Sequence, residues 1–332
     1  MNIINTVRKE KLAFLIIISV SLVIACNYFH FVERPNVTER MVIHDSIVGG
    51  EAPSPYRYRV LVPFFTQGLT EFFASVTPLS YRYAWILSYI IYDLSAIFLF
   101  LSTLYLFLME WHRRIFSLTG VLFCCAVLPL SLRDHYFQPW SLIEAWFFCA
   151  AFLAARKRSY YSILLLTLAA SLNRMSGLFI PLIYLASTLR FPGRESEESK
   201  SNFHTAGRFL LLAVVSAGTI LMLRYLMGWR ENIHSIRYLW DLNRTFPYYM
   251  YAIVNISLFG GAWWFFMAGG IKYADRFTVR MFPVLLIYIL PVAIFGIWKE
   301  VRLLLPIYPI LISTGLFYLS RKINAAETGP AQ

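Results

Sequence analysis

Apolar residues run along the chain in blocks near 12–28, 83–108, 115–132, 142–155, 160–172, 177–189, 208–226, 249–270, 280–298 and 303–320, each ended by a short charged interval. A helix needs about 20 apolar residues to cross a bilayer. The pattern therefore predicts an all-α fold, a polytopic transmembrane helical bundle of about ten spans forming one domain over residues 1–332. The shortest blocks, the pair flanking Asn173 among them, fall well short of a full crossing. Such blocks predict broken or tilted helices beside a cavity, where irregular backbone is tolerated.

Between the first two blocks lies a long polar segment, residues 30–81, within which Phe64 to Val76 spaces its apolar residues as a helix does. That spacing predicts a helix lying in the membrane interface. Residues 190–207 form a charged, solvated linker, and residues 229–248, rich in Trp, Tyr and Arg, suit the headgroup level. The chain opens with Arg8, Lys9 and Lys11 before an apolar run to Cys26. Bulky Asn27 to Phe31 follows where a cleavable leader needs small residues, so an uncleaved first helix is expected.

Composition strengthens the membrane reading. Hydrophobic residues make up 58% of the chain and charged residues only 14%, with a mean hydropathy of +0.59. A soluble domain is about a quarter charged, so much of the apolar surface must face lipid. Cys26, Cys124, Cys125 and Cys149 all fall inside apolar blocks without ligand spacing and read as packing residues.

Charge then sets the sidedness. With the N-terminus in the cytoplasm, Lys9/Lys11, Arg113-Arg114, Arg156 to Arg158, Arg190 to Lys200, Lys272 to Arg280 and Arg321-Lys322 all fall inside, as the positive-inside rule asks. Both termini are then cytoplasmic. The outer side collects Arg34, Arg40, Arg57, Arg59, Arg82, Arg133, Arg174, Arg230, Arg237, Arg244 and Arg302 against a single lysine, Lys299. A guanidinium is a planar fork that matches phosphate in a bidentate way. The net charge of +12 is thus ascribed to anionic lipid; no nucleic-acid-binding module is visible.

Four outer constellations could carry chemistry. His44-Asp45-Ser46 precedes Gly49-Gly50 and a Tyr56-Arg57-Tyr58-Arg59 run, setting a carboxylate beside a phosphate clamp. Arg133-Asp134-His135 leads to Gln138 and Trp140, with Glu144 one helical turn on; Asp134 and His135 could also hold a divalent metal. Asn173-Arg174 sits at the tip of the short pair, with Gly177 as hinge, and Glu300-Val301-Arg302 at the mouth of the last hairpin. Asp93, within the second span, reads as a hydrogen-bonded packing residue.

This layout resembles the glycosyltransferase C superfamily, polytopic enzymes that take a sugar from a polyprenyl-phosphate donor. The resemblance rests on Asp45 in a long first outer loop, the Pro55 to Pro63 run, Asp134 in a second acidic turn, and the Glu-Val-Arg-Leu-Leu-Leu-Pro end at Glu300 to Pro306. It covers most of the chain, with a single Asp45 where the family carries an acidic pair. It implies Asp45 as catalytic base and Asp134 as second acid. It makes Arg57, Arg59, Arg174 and Arg302 candidates for the donor phosphate, and His44, Tyr56, Arg133, His135, Gln138, Asn173 and Glu300, from the same constellations, are read as further substrate contacts. The expected activity is inverting sugar transfer from a polyprenyl-phosphate-linked sugar at the periplasmic face of a bacterial inner membrane, as in cell-envelope polysaccharide synthesis. No cofactor beyond a divalent metal is implied. The same arginines would also serve a flippase or transporter of a lipid-linked or anionic solute, or a surface-polysaccharide polymerase or ligase.

Overall fold

The computed structural model describes residues 10–133, 135–189, 197–232, 235–261 and 263–327. Among these residues the chain is helical throughout, its one β-bridge being an isolated pair between Ser54 and Asn232.

The first helix, α1 (Lys11–Tyr28), does not stop at the aromatic run. It passes through a π turn (Phe29–Glu33) and a 3-10 turn (Arg34–Asn36) into α2 (Val37–Val48), giving one helical stretch from Lys11 to Val48. Charges at Glu33, Arg34, Glu39 and Arg40 suggested a loop from residue 30 onward. The helix survives because Glu33 and Arg40 turn inward and pair at 2.6 Å, so their polarity is met inside the bundle. Pro35, which cannot donate to the helical ladder, sits where the winding changes from π to 3-10.

The chain then turns at Gly49-Gly50, where Gly50 has φ +70°, a left-handed conformation that favours glycine. A 3-10 turn (Tyr56–Tyr58) leads into α3 (Leu61–Val76), the helix expected from the Phe64 to Val76 pattern. Its outward face carries Phe64, Phe65 and Phe72, while Thr66 and Thr70 are buried. Those hydroxyls are satisfied locally, donating to Val62 O (2.9 Å) and Thr66 O (2.7 Å).

Next come α4 (Tyr81–Leu108), α5 (Arg114–Leu132), α6 (Trp140–Arg156) and α7 (Tyr160–Asn173). A 3-10 turn (Met175–Phe179) joins α7 to α8 (Ile180–Thr188), and α9 (Glu197–Met227) follows. The last part comprises α10 (Ile236–Arg244), α11 (Tyr248–Gly260), α12 (Trp263–Gly270), α13 (Arg276–Phe295), a 3-10 segment (Val301–Ile307) and α14 (Tyr308–Glu327).

Every predicted block is thus helical. Six stretches are long and apolar enough to cross a membrane: Lys11–Val48, Tyr81–Leu108, Arg114–Leu132, Phe203–Met227, Arg276–Phe295 and Val301–Ala325. The pair α11–α12, bent by 63°, makes a seventh if taken as one broken span. By length and composition this is an integral membrane protein.

The core centres on α4, whose Trp85, Tyr89, Ala96, Ile97, Phe100, Leu101, Leu104 and Tyr105 are all inaccessible to solvent and pack against α1, α3 and α6. Close packing elsewhere depends on small residues; a Cβ on Gly270 would run into the Thr314 carbonyl where α12 meets α14. Outward-facing Leu15, Leu22 and Val23 on α1, Leu210, Leu211, Val214 and Leu221 on α9, and Leu286, Ile287 and Leu290 on α13 form the apolar belt a bilayer would cover. Of the four free cysteines, Cys124, Cys125 and Cys149 are buried as expected and Cys26 lies on the exposed face of α1.

Candidate functional site

The two long polar segments of the sequence, after α2 and after α9, meet. Tyr58 donates its hydroxyl to Gly228 O (3.0 Å) and accepts from the Arg230 backbone N–H (3.0 Å), while Ser54 bridges to Asn232. The turn that carries Tyr56, Arg57 and Arg59 is thereby fixed against the end of α9.

From that turn Arg59 reaches inward and is buried. It donates to Gln138 Oε1 (3.0 Å) and lies over the rings of Trp140 (4.7 Å) and Tyr56 (5.1 Å). Arg174, at the C-terminal end of α7, donates to Glu144 Oε2 at 2.6 Å, and Ser176 binds the other oxygen of the same carboxylate. Arg302, 2% exposed, pairs with Glu300 at 2.6 Å. Asn173 donates to Trp140 O (3.1 Å), which ties the tip of α7 to the start of α6.

The positive groups feel one another. Burial first, and then the Arg174 guanidinium, push Arg59 down to about 9, with Arg302 adding to the effect. Burial likewise opposes the charge of Arg174, but Glu144, Tyr288 and Glu300 together hold it above the ordinary arginine value. Among the described residues Arg59 has no carboxylate of its own within ion-pair distance, so a bound anion here would relieve both desolvation and mutual repulsion.

A cavity of about 450 Å³ opens beside this cluster. Its polar end is made by Glu144, Arg174, Ser176, Arg224 and Asn232, and its flank by Leu178, Phe179, Tyr288, Pro291, Val292, Phe295 and Leu303. A smaller cavity of about 90 Å³ joins Arg59 to Arg174 and Arg224. Arg224 is held over the rings of Trp229 (5.3 Å) and Tyr58 (5.5 Å). The arrangement is amphiphilic: cationic and hydrogen-bonding at one end, greasy along its side.

Among the residues singled out in the sequence, Tyr56, Arg59, Gln138, Asn173, Arg174, Glu300 and Arg302 come together here. Arg133 approaches from the far side, sharing a cavity of about 80 Å³ with Lys299, Glu300 and Arg302. Arg57 belongs to the same turn, with Nε and Nη1 buried and lacking hydrogen-bond partners among the described residues. Glu144, Ser176, Arg224 and Tyr288 complete the site without having been selected. Glu144 was marked only as a charge one turn into a span; its partner lies 30 residues on and becomes visible only in the fold.

Other selected residues sit elsewhere. His44 is buried between Tyr89 (2.8 Å) and Gln67 (3.0 Å). His135 is wholly buried with Nε2 3.5 Å from Asp93 Oδ1, and Asp93 in turn accepts from both Nη atoms of Arg40 at 3.3 Å. Burial lowers His135 from its ordinary value, against the opposing pull of Asp93, and leaves it neutral at pH 7. The histidine of the outer turn thus faces the bundle interior. Asp45 is exposed on α2 and does not line the cavity beside Glu144. Asp134 lies outside the described residues, and with it the Asp134–His135 metal pair; among the described residues no three His, Cys, Asp or Glu side chains converge on one point.

No family model, no curated protein and no solved structure matches this chain.

Proposed function

We propose that the chain is a membrane glycosyltransferase of the glycosyltransferase C kind, taking a sugar from a polyprenyl-phosphate donor at the outer face of a bacterial inner membrane. On this reading the chain threads the bilayer about ten times with both termini cytoplasmic, the short helices α6, α7 and α8 surrounding the site. The observation that carries it is the amphiphilic cavity, in which Arg174 and Arg224 close one end and Phe179, Val292, Phe295 and Leu303 wall the side. A phosphate bonded to a long isoprenoid has that distribution of charge and grease.

In the proposed reaction the acceptor hydroxyl attacks the anomeric carbon as the bond from that carbon to the phosphate oxygen breaks. The departing lipid phosphate, with its gained negative charge, is received by Arg59, Arg174 and Arg224, and the hydroxyl proton passes to a carboxylate. Preformed donors aimed at the developing charge favour the transition state over the ground state. The resemblance assigns the proton to Asp45, but Glu144 is the carboxylate that lines the cavity, and the geometry favours it.

The test is release of polyprenyl phosphate from a labelled donor by protein reconstituted in vesicles with acceptor extract. Glu144→Gln should cut release by 100-fold or more, the scale of a lost general base. Arg174→Gln should weaken donor binding, and Asp45→Asn should stay active. Movement of intact donor across the vesicle wall, without cleavage, would show a transporter instead.

A further inference from the structure

A second cationic cavity lies at the other end of α7. About 200 Å³ in volume, it is lined by Arg158, Tyr160, Thr205, Arg208 and Arg280, with Tyr184, Ser187 and Thr188 of α8 closing it. Tyr160 opens α7 and Asn173 ends it, so this cavity is about 20 Å from the Arg174 cluster along a helix rising 1.5 Å per residue.

We propose that this cavity binds a phosphate group. Three guanidiniums reach it from separate parts of the chain, the α6–α7 turn, α9 and α13, and none forms an ion pair with a described residue. No carboxylate lines it among the described residues. Like charges gathered without a counter-ion repel one another, and a doubly or singly charged oxyanion relieves that cost while matching the planar forks.

Two further observations point to a ligand. The Tyr160 hydroxyl is buried at the cavity and has no hydrogen-bond partner among the described residues, a donor held in readiness at some cost. Its ring sits under the Arg208 guanidinium at 5.1 Å and edge-on to Tyr184 at 5.6 Å, which fixes the direction of both donors. Arg158 occupies a left-handed position, φ +55°, where glycine or asparagine would be less strained. An arginine kept at such a position points to use of its side chain.

The phosphate could belong to an anionic lipid headgroup or to a soluble phosphate compound, and both would dock by the same contacts. Purified full-length protein is titrated with phosphatidylglycerol in nanodiscs, with inorganic phosphate, and with phosphatidylcholine as the neutral control, following the unfolding temperature and bound lipid by native mass spectrometry. Arg158→Gln, Arg208→Gln and Arg280→Gln should each weaken binding by about fivefold, the scale of one basic residue at a charged surface. Tyr160→Phe, which keeps the ring and removes only the hydroxyl, should weaken it without altering the fold. Arg174→Gln should leave this response intact, which separates it from the donor site. A response to phosphatidylglycerol alone assigns the lipid, and one to inorganic phosphate assigns a soluble ligand. No response to either, or a response lost in Arg174→Gln and retained in the three arginine variants, overturns the proposal.

Discussion

Arg40 is enclosed by a set of partners that its sequence neighbours do not reveal. Glu33 lies 2.6 Å from it, Asp93 3.3 Å, the Tyr28 hydroxyl 3.4 Å, and the Tyr89 ring centroid 3.8 Å, with all four side chains buried. Charges taken out of water are costly unless fully paired, and removing one partner strands the rest. Asp93→Asn should therefore destabilise the protein by about 3–5 kcal/mol, read as a lowered unfolding temperature in detergent. Asp93 as a packing residue was legible in the sequence, because an ionisable group inside an apolar span must find a partner. The identity of that partner was not, since Arg40 stands 53 residues away. The same limit hid Glu144: local pattern marks a buried charge, and only the fold supplies its counterpart. Arg59, Arg174 and Arg302 were easier to recognise, because the sidedness expected from the lysines sets arginines where the positive-inside rule disfavours them.

At the level of elements, the hydrophobic pattern located every apolar helix and the α3 helix between them. It failed where polarity turned inward, at residues 30–48, because charged residues ordinarily end a span and here they pair inside one. The short helices α7 and α8 were expected as a pair with a glycine hinge. The structure gives the reason for that glycine: a Cβ on Gly177 would come within 2.6 Å of Ser171 N and 2.8 Å of Ala170 C. The 3-10 turn can lie against α7 only because position 177 has no side chain, and that contact presents Ser176 to Glu144. Gly177→Ala should push the turn off α7, lower the unfolding temperature, and reduce donor binding along with it. Intact binding in that variant would show that the turn does not position Ser176 for the donor.

For the molecule as a whole, α5 is bracketed by two buried histidines. His135 follows its C-terminal end, and His112, which precedes its start and sits 3.4 Å from Ser313 Oγ, is pushed by burial down to about 4. Both are held neutral in the folded state, whereas in the unfolded chain each titrates near about 6.5. The unfolded state then binds more protons below that value, so stability is fully present above about pH 6.5 and is lost as pH falls toward the folded-state values. Unfolding temperature measured from pH 7.5 to 4.5 should fall with acidity, and His112→Gln with His135→Gln should flatten the slope.

The uninterrupted helix from Lys11 to Val48 sets one more relation. Thirty-eight residues make a rod of about 57 Å, nearly twice the roughly 30 Å of hydrocarbon in a bilayer. The helix is thus longer than one hydrocarbon core can enclose, and the turn that carries Arg59 begins just past its far tip, beyond the reach of the apolar belt.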